Sequence, residues 1–372
     1  MQKVVAILTI SERYLLSNPG SFLQHWALRN VYRSMGLNPI RVPNDDDLNA
    51  TDKGNRIIAA FVQVIRVCLH YIGVKKYRSN SYGFRSLFES HRIKRFKQAY
   101  HHFIGPLYEN GTYYDIVSVG GDQVFYPDHL KVALSLASRK HIVYAASADW
   151  SIAQKSADWV DRMQDYLIRF DAIGIRENKG IKILGGRVSN VIRVADPVML
   201  LDPKAYNVFL SKKGQGQRNS LFVYLLNIKS SEMMPVEELE ELANALNVDI
   251  RMTGIQGAEN FIPVKYYTAT TPSSFVDNIS KSKYVITNSY HATLLAVMFH
   301  KPFISLRQFS SQNTRQQELL SYLGLQDHRI SNEELSILGE SLLNEKVDWM
   351  QVDQMIACLK NDSLDWLKQA IQ

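Results

Sequence analysis

His291 stands where the run "YVITNSYHATLLAVMFHKPFISL" passes from strand-like to helix-like composition. An imidazole in the first turn of a helix, with Asn288 or Ser289 as cap, can hold a phosphate or move a proton, because a helix start offers free N–H groups and a positive dipole end. A core or capping histidine is the structural alternative. Arg176 closes the strand-like part of "DAIGIRENKG", where a guanidinium can clasp a carboxylate or phosphate through two hydrogen bonds. An ion pair with Glu177 would explain it equally. "DIVSVGGDQVF" brings Gly120, Gly121, Asp122 and Gln123 to another strand end; the glycines permit close approach or positive φ, and Asp122 can cap a helix or bind a hydroxyl. Asn18, Gly20, Ser21 and Gln24 lie where the first loop becomes a helix, a natural place for an acceptor or a phosphate, with an ordinary Ser21 cap as the alternative. Lys301, at the far end of the His291 helix, complements the negative end of that helix, and Arg307 and Arg315 read as solvated or facing a cleft.

These residues need a frame that gathers strand ends. "KVVAILTI", "DIVSVGG", "HIVYAAS", "DAIGIRE" and "NVIRVADP" read as strands, with helical patterns between them such as "SFLQHWALRNVYRSMG", where Phe22, Leu23, Trp26, Ala27, Val31 and Met35 keep the 3.6 period and Gly36 suits the C-terminal cap. Strand alternating with helix implies a parallel sheet. "LSKKGQGQRNS" interrupts the pattern, and the alternation resumes with "LFVYLLN", "VDIRMTG", "KYVIT" and "PFISL". The expected architecture is α/β, with two doubly wound Rossmann-like domains and a cleft between them, the GT-B arrangement. The expected divisions are residues 1–210, residues 220–360, and a helix over 361–372 that packs back on the first domain.

At 372 residues the chain exceeds the roughly 250 to 300 that a single core accommodates. Cys68 and Cys358 have no partners at metal or redox spacing, which favours a reducing compartment. The first residues lack a signal-peptide core, so a cytoplasmic location is expected. The net charge of +7 is concentrated: Lys75 to Lys97 holds eight basic residues against Glu89 alone. With the apolar "IIAAFVQVIRVCLHYIGV" before it, residues 57–97 could lie on an anionic inner membrane face, or form a helix packed on its own sheet. No transmembrane span is expected, and no nucleic-acid partner, since no binding module or stacking pattern is present. Asp45, Asp46 and Asp47 follow Pro43 and Asn44 in a turn, and His101 and His102 point apart on a helix, so no metal site is expected.

The segments "NPGSFLQHWALRNVYRSMG", "RIKRFKQAYHHFI", "DIVSVGGDQVFYP", "YAASAD", "FDAIGIRENKG", "VADPVMLL", "YVITNSYHATLLAVMFHKPFISL" and "NTRQQELLSYLGL" together resemble, over roughly residues 4–325, the polysaccharide pyruvyl transferase family. That family commonly has Gly-Ser-Asp-Gln followed two positions on by tryptophan, where this chain has Gly120, Gly121, Asp122, Gln123 and Phe125. It commonly has glycine after its histidine, where this chain has Ala292. The resemblance implies transfer of pyruvate from phosphoenolpyruvate, a co-substrate needing no further cofactor, to two hydroxyls of a sugar as a cyclic ketal. The acceptor would be a surface polysaccharide such as a capsule or exopolysaccharide, or its lipid-linked precursor. His291 and Arg176 would be catalytic, with Ser289, Lys301, Arg307 and Arg315 on the donor, and Asn18, Gly20, Ser21, Gln24, Gly121, Asp122 and Gln123 toward the acceptor or cleft. A nucleotide-sugar glycosyltransferase of the same fold, and a catalytically inert relative that binds glycans or assembly partners, remain as alternatives.

Overall fold

Near-continuous apolar runs such as Val4–Leu8 are what a strand buried on both faces requires. The computed structural model of the chain describes residues 2–10, 18–42, 94–105, 113–121, 124–151, 156–211, 216–307 and 313–372. Within them β1 (Val4–Leu8), β2 (Asn38–Arg41), β3 (Tyr114–Gly120), β4 (Ser138–Ala146), β5 (Ala172–Ile175) and β6 (Val191–Arg193) form a parallel sheet in the order β2-β1-β3-β4-β5-β6. A second parallel sheet holds β7 (Arg218–Leu226), β8 (Asp249–Ile255), β9 (Ser282–Thr287), β10 (Phe303–Leu306) and β11 (Arg329–Ile330) in the order β11-β10-β9-β7-β8. Each sheet reverses its winding once, between β1 and β3 in the first and between β7 and β9 in the second. Ligands of doubly wound folds sit at such switch points, beyond the strands' carboxyl ends.

The connecting helices are α1 (Pro19–Ser34), α2 (Pro127–Ser135), α3 (Ala157–Leu167), α4 (Asn178–Leu184), α5 (Pro197–Leu200), α6 (Val236–Ala245), α7 (Pro272–Lys281), α8 (Tyr290–Met298), α9 (Asn313–Tyr322), α10 (Leu335–Asn344) and α11 (Trp349–Ile371). Asn18 caps α1 by accepting from the Gly20 and Ser21 N–H groups at 2.9 and 3.4 Å, which puts Ser21 inside the first turn and corrects the Ser21 cap. Gly36, at φ 79°, ends it as its position predicts. The short β2 and β11 escape a pattern reading. Pro39 in β2 is tolerated because the strand is at a sheet edge, where a missing N–H breaks no ladder.

One apolar cluster covers an outer face of the first sheet and another an outer face of the second. A third is shared: Phe22, Trp26 and Tyr144 of the first lobe join Phe222, Val285, Leu294 and Leu295 of the second, so α1 is buried between lobes. The link between them, a 3₁₀ turn over Pro203–Phe209, packs Tyr206 and Phe209 edge-on against Trp26 at 5.3 and 4.8 Å. The last helix, α11, returns to the first lobe, where Trp366 meets Tyr144 and Gly174. Of the basic segment 57–97, only 94–97 is described. There it opens a helix through 103 that buries Phe96 and Tyr100; the remainder lies outside the described residues. Among the described residues no helix is long and apolar enough to cross a membrane.

Candidate active site

β9 delivers its chain end to the second switch point through a set of local hydrogen bonds. Thr287 donates its hydroxyl to the Tyr224 carbonyl, and Asn288 ties itself to Leu226 through both ends of its amide, at 2.7 and 2.8 Å. Ser289 is the residue that caps α8, accepting from the Ala292 N–H at 3.4 Å, and so is occupied as a cap. His291 follows in the first turn, 4% exposed.

The ring of His291 meets the first lobe on two sides. Gly20 lies against it so closely that a Cβ there would stand 2.5 Å from Nδ1. Nε2 faces Asp196 Oδ2 at 3.5 Å, an electrostatic contact long for a hydrogen bond. Asp196 caps the short α5, taking the Val198 N–H on Oδ1 at 2.8 Å, while Oδ2 pairs with Arg176 Nη1 at 2.8 Å. Burial alone would raise the Asp196 carboxyl, but the Arg176 guanidinium, the His291 ring and the Val198 N–H outweigh it and hold the group below the ordinary carboxylate range.

Arg176 is fixed by more than this pair. Its Nη2 donates to the carbonyls of Gly121 at 2.7 Å and Ala145 at 3.2 Å, and its guanidinium lies over the Tyr290 ring at 5.1 Å. Ala145 takes a positive φ of 51° at the point where the β4–β5 register shifts, and the bulge aims its carbonyl at the guanidinium. Either fork of a guanidinium, end-on through both η nitrogens or side-on through Nε and Nη2, uses Nη2. The expectation that Arg176 clasps a donor with two hydrogen bonds is therefore corrected for this arrangement: the side chain organises the floor of the site. It does not pair with Glu177 either, whose carboxyl takes the Ser147 hydroxyl at 2.6 Å and the Trp150 indole N–H at 2.9 Å. Burial pushes Glu177 upward, against the lowering effects of Arg176, Ser147, Arg315 and Trp150.

Gly121 closes the circuit. Its φ of 96° suits glycine, and the Gln24 side-chain amide fills the space a Cβ would need. Gln24 also donates to Thr9 Oγ1 at 3.1 Å. One turn of α1 thus places Gly20 on His291 and Gln24 on Gly121, and the loop of contacts runs on through Arg176 and Asp196 back to the histidine. Asn18 and Ser21 serve this turn as cap and buried first-turn residue. Asp122 and Gln123 lie outside the described residues.

Behind Arg176 and Asp196 runs a narrow crevice, partly open to solvent, lined by Glu177, Arg193, Tyr290, Arg315 and Glu318 among others. The structure brings Arg315 here. Glu318 binds the Asn178 and Lys179 N–H groups at 2.5 and 2.9 Å, tying α9 of the second lobe to α4 of the first. Lys301 and Arg307 are not gathered in. Lys301 donates to Gln217, just ahead of β7, at the amino edge of the sheet and roughly 15 Å along α8 from His291. Arg307 is exposed one strand beyond β9, 3.9 Å from Glu334. Sequence reasoning missed Asp196. Its signal is the strand-like "VIRVADPV", in which an Asp-Pro step follows a strand as a helix cap and first-turn proline would.

A sequence model of the family described as polysaccharide pyruvyl transferase matches residues 18–308. No curated protein matches the chain in sequence. Among solved structures, Staphylococcus aureus MnaA bound to UDP is similar at a TM-score of 0.52 with 12% identity, over 95% of this chain and 91% of that one. The UDP-N-acetylglucosamine 2-epimerase of Rickettsia bellii gives 0.52 with 10% identity, over 99% and 98%. That of Methanocaldococcus jannaschii, in complex with UDP-GlcNAc and UDP, gives 0.50 with 13% identity, over 97% and 100%. At such identities the likeness is one of fold: two doubly wound α/β domains of the GT-B kind.

Proposed function

The chain belongs to the polysaccharide pyruvyl transferase family, and on that premise we propose that it transfers pyruvate from phosphoenolpyruvate to two hydroxyls of a sugar in a surface polysaccharide or its lipid-linked precursor. The observation that carries the reading is His291, held at the start of α8 between Gly20 and Asp196 where the switch points of both sheets meet.

The chemistry sets the demands. One hydroxyl adds to C2 of the enol phosphate while the methylene carbon takes a proton and becomes a methyl group. The second hydroxyl then displaces phosphate, and its proton leaves with the phosphate. His291 takes the proton that the first hydroxyl loses and delivers it to the methylene carbon, ending as it began, and the dipole end of α8 favours the donor's negative charge. Arg315, at the crevice, adds positive charge from the second lobe. Arg176 keeps Asp196, Gly121 and Ala145 in place beneath these groups. No cofactor is required by this scheme.

Thermal unfolding with phosphoenolpyruvate tests the reading. Ligand at 100 times its dissociation constant stabilises by about 2.7 kcal/mol, or about 3 °C in a chain of this length. The expected result is a shift in the wild type that His291→Ala loses, along with all turnover, while the variant keeps a native circular dichroism spectrum. Near-normal turnover in His291→Ala would remove the histidine's role. A shift with nucleotide sugars alone would replace the reading with a glycosyltransferase.

A further inference from the structure

We infer that Asp196 is a positioning residue that keeps the proton of neutral His291 on Nε2 and so leaves Nδ1, on the Gly20 side, as the nitrogen that exchanges a proton with substrate. The inference rests on the transferase reading only in what it says Nδ1 is for; the tautomer itself follows from the contacts.

Imidazole has two distinct nitrogens, and which of them carries the proton is decided by the partner facing the other. Nε2 faces a carboxylate oxygen at 3.5 Å. That oxygen belongs to an ionised group, because Arg176 pairs with it at 2.8 Å inside a fully buried setting and Val198 occupies the other oxygen. An ionised carboxylate accepts hydrogen bonds and donates none, so it favours a proton on Nε2 over a lone pair there. On the other side of the ring, Gly20 lies against Nδ1 and has no side chain there to offer a hydrogen bond.

The other charges near the ring do not reverse the preference. Tyr290 precedes His291 on α8, with Arg176, Glu177 and Arg193 close enough to act on its phenol, and Arg315 comes from α9 across the crevice. None of them has a contact with Nε2 comparable to that of Asp196. The arrangement also divides the pair between lobes, with Asp196 after β6 of the first and His291 after β9 of the second. The histidine is consequently set up for its reaction only while the lobes are together, and a protein whose lobes part loses the control on its tautomer.

The test is two-bond 1H–15N correlation of the imidazoles in uniformly labelled full-length protein without substrate, with the His291 resonances assigned by their loss in His291→Gln. The expected pattern is that of the Nε2–H tautomer at a pH where the ring is neutral. A dominant Nδ1–H pattern would overturn the inference, and the assignment needs of His291→Gln only a native fold. Asp196→Asn gives the second readout. It is expected to mix the tautomers and to lower kcat/KM by about 10- to 100-fold. An unchanged tautomer pattern in a natively folded Asp196→Asn protein would also overturn it. Absence of pyruvyl transfer in every assay would sink the transferase reading while leaving the tautomer measurement standing, so the two failures are distinguishable.

Discussion

At the scale of single residues, absence of side chain is as functional here as its presence. Gly20 leaves room for the His291 ring, and an added methyl would meet Nδ1, Cγ and Cβ of that ring at 2.5 to 2.8 Å. Gly20→Ala is expected to push the ring off Asp196, lowering kcat at least tenfold while costing about 1 to 3 kcal/mol of stability; steady-state kinetics beside chemical denaturation would separate the two effects. Unaltered kcat would mean that the ring's placement against Gly20 is immaterial. The position of His291 is legible in sequence because a cap and an apolar period announce a helix just after a strand. The same logic finds Arg176 at a strand end. That Gly121 is a partner of Arg176 cannot be read from spacing, because it lies 55 residues away and reaches it through a backbone carbonyl. Gly121 differs from the family's common serine, and the Gln24 amide packed at its Cα, together with its φ, accounts for glycine there.

Among elements, the helix starts carry the site and the opposite strand ends hold the frame. At the amino edge of the second sheet, Asp277 of α7 accepts from Arg218, Lys281 and the Ser211 backbone at 2.6, 2.6 and 3.0 Å, anchoring the residues that flank the link between lobes. Burial would raise its carboxyl, but Lys281, Arg218 and Ser211 hold it below the ordinary value of 3.8. Because the folded value is the lower one, the stability this group contributes is present above pH 3.8 and fades as the pH falls through its folded value. Asp277→Asn is expected to cost about 2 kcal/mol at pH 7 and progressively less toward pH 3, measured by urea unfolding across that range. A cost that is the same at both ends would show that packing, not charge, is at stake. The long alternating elements are legible because their periods are strong, whereas β2 contains Pro39 and β11 has only two residues to display a pattern. Lys301 misleads for a related reason: the far end of α8 is near His291 in sequence yet at the other edge of the sheet.

For the whole molecule, the order of strands and helices is enough to suggest two doubly wound sheets, and both are present. The pattern does not disclose that α1 belongs to both lobes, since burial between lobes looks like burial within one. Leu367 is fully buried in the shared core. Leu367→Ala is expected to remove about 2 to 5 kcal/mol and to lower a single calorimetric transition. Two resolved transitions, with only one displaced, would show instead that the lobes unfold independently.

Ser363 of α11 accepts the Ala195 N–H at 2.7 Å, one residue before Asp196. Seen in the time of synthesis, the carboxylate that faces His291 is made long before the hydroxyl that steadies its backbone. At ribosomal speeds of about 5 to 20 residues per second, the interval is on the order of 10 to 30 seconds. A nascent chain can therefore complete both sheets before the tether beside Asp196 is made.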